Sequence, residues 1–187
     1  MKTTLLLLPL FCAASLRADE VWTGTSDVKF HGDSTLHGFD GTVKGVPLTV
    51  KMRGEAGSRT VTATSDVTVK DMDTDDDSRD ANMMKMFRQT EFPLIKVEVP
   101  KAEEGKLRPA GGKPGAMTVK LTIAGKSRNI DAAVTNLKEA PKAISFDLAF
   151  PVSLSAHELP PPSVLGGLVK VADKVDVKVS VALKKKS

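Results

Sequence analysis

Apolar and polar residues alternate along most of this chain, and short interruptions separate the alternating segments. In the clearest segment, residues 60–69, valines, an alanine and a serine occupy the odd positions, and threonines and an aspartate occupy the even ones. Such period-two alternation predicts an antiparallel strand with one buried face. Similar segments recur at residues 21–30, 36–43, 48–52, 92–99, 117–123, 130–134, 144–152 and 175–183.

The interruptions are short and rich in turn-forming residues. Residues 45–47, 54–58, 125–127 and 139–142 are predicted to be hairpin connections, which join neighbouring strands antiparallel. Residues 101–114, rich in Gly, Pro and charge, are predicted to form a surface loop. The whole pattern predicts an all-β fold of about eight antiparallel strands with one short inserted helix. That number of strands closes a barrel around one small ligand or a filled core, and an open sandwich is the alternative.

The segment SRDANMMKMF breaks the alternation and has helical spacing instead. Met83 and Phe87 are four residues apart and Met84 and Phe87 three apart, so all three share one face of a short helix. Asp77 or Ser78 is predicted to cap the N-terminus of this helix. Methionine is flexible and polarizable, and a Met and Phe face repacks readily around an irregular apolar guest. The helix is therefore either a lid or a plug that completes the core.

The first residues have the features of an export signal. Lys2 precedes an apolar run, and small residues stand before the predicted cut after Ala18, with a cut after Ser15 as the alternative. Residues 1–18 are therefore predicted to be a secretory signal peptide and residues 19–187 a single domain. The apolar run is too short to span a bilayer. The only cysteine, Cys12, lies in this signal, so the exported chain forms no disulfide, and the predicted location is periplasmic or secreted.

The charge distribution argues against a nucleic-acid partner. The formal net charge is +4, but Lys2 and Arg17 belong to the predicted signal, and Lys184, Lys185 and Lys186 carry the remaining excess. Without these five residues the chain is slightly acidic, so no basic nucleic-acid-binding face is predicted. The three lysines are interpreted as a basic, solvated C-terminal tail, with weak contact to an anionic membrane surface as the alternative.

The acidic run DMDTDDDSRD resembles part of a calcium-binding loop. Asp71, Asp73 and Asp75 have the spacing of the first ligands of an EF-hand loop. Asp76, however, stands where that loop needs Gly, and Asn82 stands where it needs a bidentate Glu. The favoured interpretation is that the run complements the positive end of the following helix, so no metal site is predicted.

No catalytic arrangement emerges from the sequence. His31, His37 and His157 are the only histidines, and their spacing is not that of a metal-binding helix or ribbon. Ser34 and His37 are close in sequence, but a strand would point them to opposite faces, so they would not act as nucleophile and base. The sequence has neither a G-x-S-x-G elbow nor a phosphate-binding glycine loop with its lysine. We therefore predict that this protein has no catalytic residues and is not an enzyme.

Four segments, in order along the chain, carry a family resemblance: STLHGFDGTVKG, SRDANMMKMFRQTEFPLIKVEV, MTVKLTIAGKSRNIDAAV and VADKVDVKVSV. The matching elements are residues 38–41, Arg79, Asp80 and Met83 at the helix, Phe92 and Pro93 before the next strand, Gly125 and Lys126 at a hairpin, and Asp173 and Val175 at the last strand. On these residues the chain resembles the YceI-like, polyisoprenoid-binding family of bacterial periplasmic proteins.

The resemblance implies a lipocalin-like antiparallel barrel whose elongated apolar interior holds an isoprenoid chain, such as a quinone tail or a polyprenyl lipid. It implies a lipid ligand and no further cofactor. The alternative is a structural or interaction barrel with a self-filled core, in which Ala63, Ser65, Ala132 and Ala149 pack against larger residues. The predicted ligand-binding residues are Phe39, Met83, Met84, Phe87, Phe92, Leu121, Phe146 and Phe150.

Overall fold

The computed structural model describes residues 19–161, 163–164 and 169–186, so the predicted signal peptide lies outside the described residues. The strands are β1 (Glu20–Ser34), β2 (Phe39–Arg53), β3 (Thr60–Thr68), β4 (Leu94–Glu103), β5 (Gly115–Ile123), β6 (Lys126–Ala140), β7 (Ala143–Ser153), β8 (Ser163–Val164) and β9 (Val169–Lys185). The helices are α1 (Asp77–Met86) and α2 (Glu104–Leu107), with 3-10 turns at Val69–Asp71 and Ser155–His157. Within the described ranges, neither α-helix is long and apolar enough to cross a membrane.

Eight long strands form a closed antiparallel barrel. From β1 to β7 each strand pairs with the next in the chain, β7 pairs with β9, and β9 pairs with β1 to close the ring. The short strand β8 pairs with the first residues of β9. The predicted all-β antiparallel barrel with one short inserted helix is therefore confirmed, and the closed ring excludes the open sandwich.

The two ends of the barrel are built differently. One end, called the mouth, carries the β1–β2 loop at residues 35–38 and helix α1. At the opposite end, called the base, β1, β3, β5 and β7 begin and α2 follows the end of β4. The alternating pattern places one face of each long strand inside the barrel between these ends.

The turn predicted at residues 45–47 is a β-bulge instead. Lys44 and Gly45 of β2 both lie opposite Asp27 of β1, so β2 holds one extra residue at this point. Gly45 has a φ of 66°, which glycine adopts without steric cost, and its N–H donates to Asp27 Oδ1 at 2.8 Å. The predicted hairpin is therefore wrong here, and β2 joins two predicted strands into one.

The surface loop predicted at residues 101–114 contains more regular structure than its composition indicates. Strand β4 continues to Glu103, and α2 follows directly. Only residues 108–114 form an irregular connection to β5. The prediction failed because α2 is a single turn of mostly polar residues, whose position depends on a buried carboxylate rather than on an apolar pattern.

Two of the three C-terminal lysines belong to a strand rather than to a tail. Lys184 and Lys185 are the last residues of β9. The Lys185 ammonium lies 2.9 Å from Glu20 Oε1 and 5.9 Å from the centroid of the Trp22 ring. Both lysine side chains are exposed, but the two residues belong to β9 rather than to a tail, because contacts with β1 hold the end of β9 in the barrel.

The N-cap of helix α1 precedes both residues predicted for it. The Asp76 carboxylate accepts hydrogen bonds from the Arg79 backbone N–H at 2.9 Å and from Ser78 Oγ at 2.8 Å. Both hydrogen bonds lower the pKa of Asp76, and the one from the Arg79 backbone has the larger effect. The N-cap is therefore Asp76, not Asp77 or Ser78. Among the described residues, no group of three His, Cys, Asp or Glu side chains is arranged to hold a metal ion.

Candidate functional site

A cavity of about 460 Å³ runs inside the barrel from the mouth to the base. Its lining includes Leu36 and Arg79 at the mouth and Leu107 and Glu139 at the base. Between the two ends, all eight long strands contribute to a wall of mostly apolar side chains. The volume lies within the range of roughly 300 to 1,000 Å³ that is usual for small-molecule sites.

The inward face of each alternating segment forms the wall of the cavity. Strand β7 shows the pattern best, and its lining residues are Ile144, Phe146, Leu148, Phe150 and Val152. Because every second residue of a strand points to the same face, a single strand contributes apolar groups along the whole length of the cavity. The same alternation that predicts the strands therefore also predicts which of their residues line the cavity.

The four small residues considered as packing partners occupy three kinds of position. Ala63 and Ser65 of β3 line the cavity, and their short side chains leave space beside them. Ala132 is buried in the core. Ala149 is exposed. Two of the four therefore help to form the cavity.

The apolar side of helix α1 covers part of the mouth. Met83 and Phe87 are 7 % and 6 % exposed, and both line the cavity together with Met86. Met84 is half-buried and lies outside the lining. The helical spacing identified Met83 and Phe87, but the side chain that completes their face is Met86 rather than Met84.

Polar side chains from the start of α1 also reach the mouth. Arg79 and Asn82 both belong to the lining, and neither was among the predicted ligand-binding residues. The Arg79 guanidinium lies 5.1 Å from the centroid of the Phe39 ring and donates a hydrogen bond to the Thr74 carbonyl oxygen at 3.1 Å. Arg79 and Asn82 are three residues apart and so share one face of the helix. That spacing is the sequence signal that could have identified both.

The structure brings six of the eight predicted ligand-binding residues to the cavity. These six are Phe39, Met83, Phe87, Leu121, Phe146 and Phe150. The other two, Met84 and Phe92, lie outside its lining. Whether the six contact a ligand stays a prediction.

Phe92 anchors the segment between α1 and β4 instead of facing the cavity. The Arg88 guanidinium lies 4.5 Å from the centroid of its ring and donates a hydrogen bond to the Ala124 carbonyl oxygen at 2.8 Å. Gly125, at the tip of the β5–β6 hairpin, leaves no room for a Cβ without crowding the same ring. Phe92 therefore fixes the end of the helical segment to this hairpin.

A second β-bulge shapes the base of the cavity. Asn136 and Leu137 of β6 both lie opposite Phe146 of β7, and Asn136 has a φ of 52°. The extra residue changes which side chains point inward, so that Leu137 and Glu139 follow Val134 in the cavity lining. A regular strand would point Leu137 and Glu139 outward.

Glu104 is the most strongly perturbed carboxylate at the base. Its side chain is 6 % exposed, and it accepts hydrogen bonds from Arg59 Nη2 at 2.8 Å, from Arg108 Nη2 at 3.0 Å and from the Gly57 backbone N–H at 2.8 Å. The hydrogen bonds from Arg59 contribute most to lowering its pKa from 4.5 to about 2. Glu104 therefore stays ionised at neutral pH although it is buried.

The three histidines have separate surroundings. His157 is buried, its Nδ1 lies 3.0 Å from the Lys126 carbonyl oxygen, and its Nε2 has no hydrogen-bond partner among the described residues. Burial lowers the pKa of His157. His31 is exposed, and its hydrogen bond with Asp40 raises its pKa. His37 lies at the mouth and belongs to the lining.

The fold and the cavity define a lipocalin-like class of protein, an antiparallel barrel closed around an apolar interior space. The sequence matches the model of the YceI-like domain over residues 20–183. The chain therefore belongs to the YceI-like family.

Solved structures with the same fold include the following three. BcnA from Burkholderia cenocepacia is 21 % identical, with a TM-score of 0.66 over 84 % of this chain and 95 % of BcnA. A polyisoprenoid-binding domain from Saccharophagus degradans is 14 % identical, with a TM-score of 0.63 over 90 % of this chain and 99 % of that domain. The YceI protein of Campylobacter jejuni is 19 % identical, with a TM-score of 0.56 over 79 % and 85 % of the two chains. No curated protein matches this sequence.

Proposed function

We propose that this protein binds a long apolar lipid of the isoprenoid class inside its barrel and carries or sequesters it in the periplasm without catalysis. The observation that carries the proposal is the apolar cavity, which extends from the mouth to the base. A polyprenyl chain or the tail of an isoprenoid quinone matches that shape. Membership of a family that includes a polyisoprenoid-binding domain supports the same ligand class.

The physical chemistry of the cavity favours such a ligand. Each buried CH2 group contributes roughly 0.8 kcal/mol, so a long chain binds in an apolar channel with few polar contacts. The alternative, a barrel filled by its own side chains, would need larger residues than Ala63 and Ser65 at the middle of the wall. The cavity therefore favours the carrier over a purely structural barrel.

The cellular location is part of the proposal and rests on the sequence of residues 1–18. Their short apolar run and small residues are typical of a cleaved export signal. Weak contact of Lys184, Lys185 and Lys186 with an anionic membrane surface stays a prediction. Lys185 already contacts Glu20, which leaves less charge available for such a surface.

Lipid retained through purification is the direct test. We expect organic extraction of the purified protein, followed by mass spectrometry, to recover an isoprenoid lipid in an amount comparable with that of the protein. Protein purified in parallel after delipidation with detergent provides the blank, and incubation with a prenyl lipid should restore the signal. If the protein yields no lipid and takes up none, the lipid-binding proposal is wrong and a structural or interaction role remains.

Two adjacent methionines allow a matched test of the lid. Met83→Ala is expected to weaken lipid retention, because Met83 lines the cavity, whereas Met84→Ala should leave retention close to wild type. Truncating a buried methionine also costs about 2 to 5 kcal/mol, so retention is compared at a temperature where both variants are folded. Equal lipid retention by the two variants would show that Met83 does not contribute to lipid binding.

A further inference from the structure

A chain of alternating charges connects several elements at the base of the barrel. Its members come from β9, β1, the β2–β3 connection, α2 and the residue after it, and β6. In order they are Lys185, Glu20, Arg59, Glu104, Arg108 and Glu139. The first four contacts measure 2.9, 2.9, 2.8 and 3.0 Å, and Arg108 forms a bidentate pair with Glu139. This chain, called the charge belt below, ties together elements that are far apart in sequence.

Two leucines accompany the charge belt at the base of the cavity. Leu107 of α2 and Leu137 of β6 line this part of the cavity, and both are half-buried. Glu104, Arg108 and Glu139 belong both to the charge belt and to the lining. Along β6, which runs from mouth to base, Leu137 precedes Glu139 by two residues. An apolar chain that extends toward the base therefore meets Leu137 before the Arg108–Glu139 pair.

The paired charges at the base are a poor environment for further methylene groups. To pass between Glu104, Arg108 and Glu139, which all line the cavity, an apolar chain would have to separate paired charges. That separation costs more free energy than burial of a few methylene groups contributes. Glu104 holds the charged side chains at the base in place, because it accepts hydrogen bonds from two arginines and two backbone N–H groups.

The mouth has a different construction. Among the described lining residues of the mouth, Arg79 forms an ion pair with Asp76 at 3.4 Å. Both residues belong to α1 and its N-cap, so this pair does not bridge the barrel. Leu36, on the β1–β2 loop, lines the cavity and is 68 % exposed. An apolar chain can therefore reach solvent at the mouth without separating charges across the barrel.

We propose that the base is the stop that sets the greatest length of apolar tail the cavity accepts, with Leu107, Leu137 and the Arg108–Glu139 pair as the residues that determine it. This inference rests on the proposed function. The tail enters at the mouth, its end reaches the two leucines, and any further length stays outside at the mouth. Affinity then rises with tail length until the cavity is filled and becomes constant beyond that length.

A series of all-trans prenyl alcohols, from farnesol to solanesol, tests this with delipidated, full-length mature protein. Dissociation constants for wild type should fall with length and then reach a plateau. In Leu137→Ala the plateau should begin at a longer alcohol. If this variant buries two more methylene groups, it should bind that alcohol about tenfold more tightly than wild type does. In Leu137→Phe the plateau should begin at a shorter alcohol. Leu94→Ala, the same substitution at an exposed leucine outside the cavity lining, is the matched control and should leave the plateau in place.

The outcomes separate the two proposals. Binding of the alcohols with the same plateau in wild type and in both Leu137 variants would overturn the stop while leaving the lipid-binding function intact. Failure of every alcohol to bind wild type would overturn the function and the stop together. Thermal melting of each variant shows that it is folded, and since the two Leu137 variants should shift the plateau in opposite directions, a loss of stability alone does not reproduce the pattern.

Discussion

Replacing Glu104 by Ala is expected to lower the free energy of unfolding by about 3 to 5 kcal/mol, the usual cost of removing one partner from a buried ion pair. The substitution leaves the mostly buried Arg59 with Glu20 as its remaining ion-pair partner and removes the acceptor of the Gly57 N–H. Urea unfolding of wild type and variant measures the difference. Glu98→Ala is the control, since Glu98 forms an exposed pair with Lys120 on the outside of the barrel. Exposed pairs of that kind contribute about 0 to 1 kcal/mol.

The same variant has an expected pH dependence. The pKa of Glu104 is about 2 in the folded protein, below its ordinary value of 4.5. A group whose pKa is lowered by folding stabilises the folded state above its unfolded pKa and loses that effect as pH falls. The stability difference between wild type and Glu104→Ala should therefore be complete above about pH 4.5 and shrink toward pH 2. A difference that stays constant over this interval would contradict the role of the ionised carboxylate.

Ala63→Phe is expected to abolish retention of lipid while the barrel stays folded. Ala63 lies on the cavity wall, where β3 pairs with Val50 of β2 and Val99 of β4. A benzyl group there occupies space that the proposed lipid needs along the middle of the channel. Inserting a larger side chain into a packed core costs about 1 to 3 kcal/mol, but here the ring enters an existing cavity, so the cost should be at the lower end.

Thr62→Phe is the matched control for this experiment. Thr62 is the preceding residue of the same strand and does not belong to the lining. Lipid content by mass spectrometry and thermal stability are measured on both variants and on wild type. Retention of lipid by Ala63→Phe at the wild-type level would show that the ligand does not occupy this cavity.

The sequence predicted the barrel well because the information lies in short-range patterns. Alternation with period two identifies strands and their inward faces locally, so residues such as Leu121 and Phe150 could be assigned to the interior from their neighbours in the chain alone. The helix was likewise visible from its spacing. These assignments needed no knowledge of which strands pair.

The base of the cavity could not be predicted, because it depends on contacts between distant segments. Glu104 and Arg59 are 45 residues apart, and Arg108 and Glu139 are 31 apart. In the sequence these are ordinary surface charges. The bulges at Gly45 and Asn136 each add one residue to a strand, and a pattern read with strict period two assigns the residues beyond them to the wrong face.

The bulge at Asn136 absorbs one residue without disturbing the pairing on either side of it. Thr135 pairs with Asp147 and Lys138 with Ser145, so Leu137 faces the cavity like Val134 although it stands three residues later. Deletion of Asn136 would leave a regular strand in which Leu137 lies opposite Phe146 and, with Glu139, still faces the cavity. The floor of the cavity should therefore tolerate the loss of this one residue.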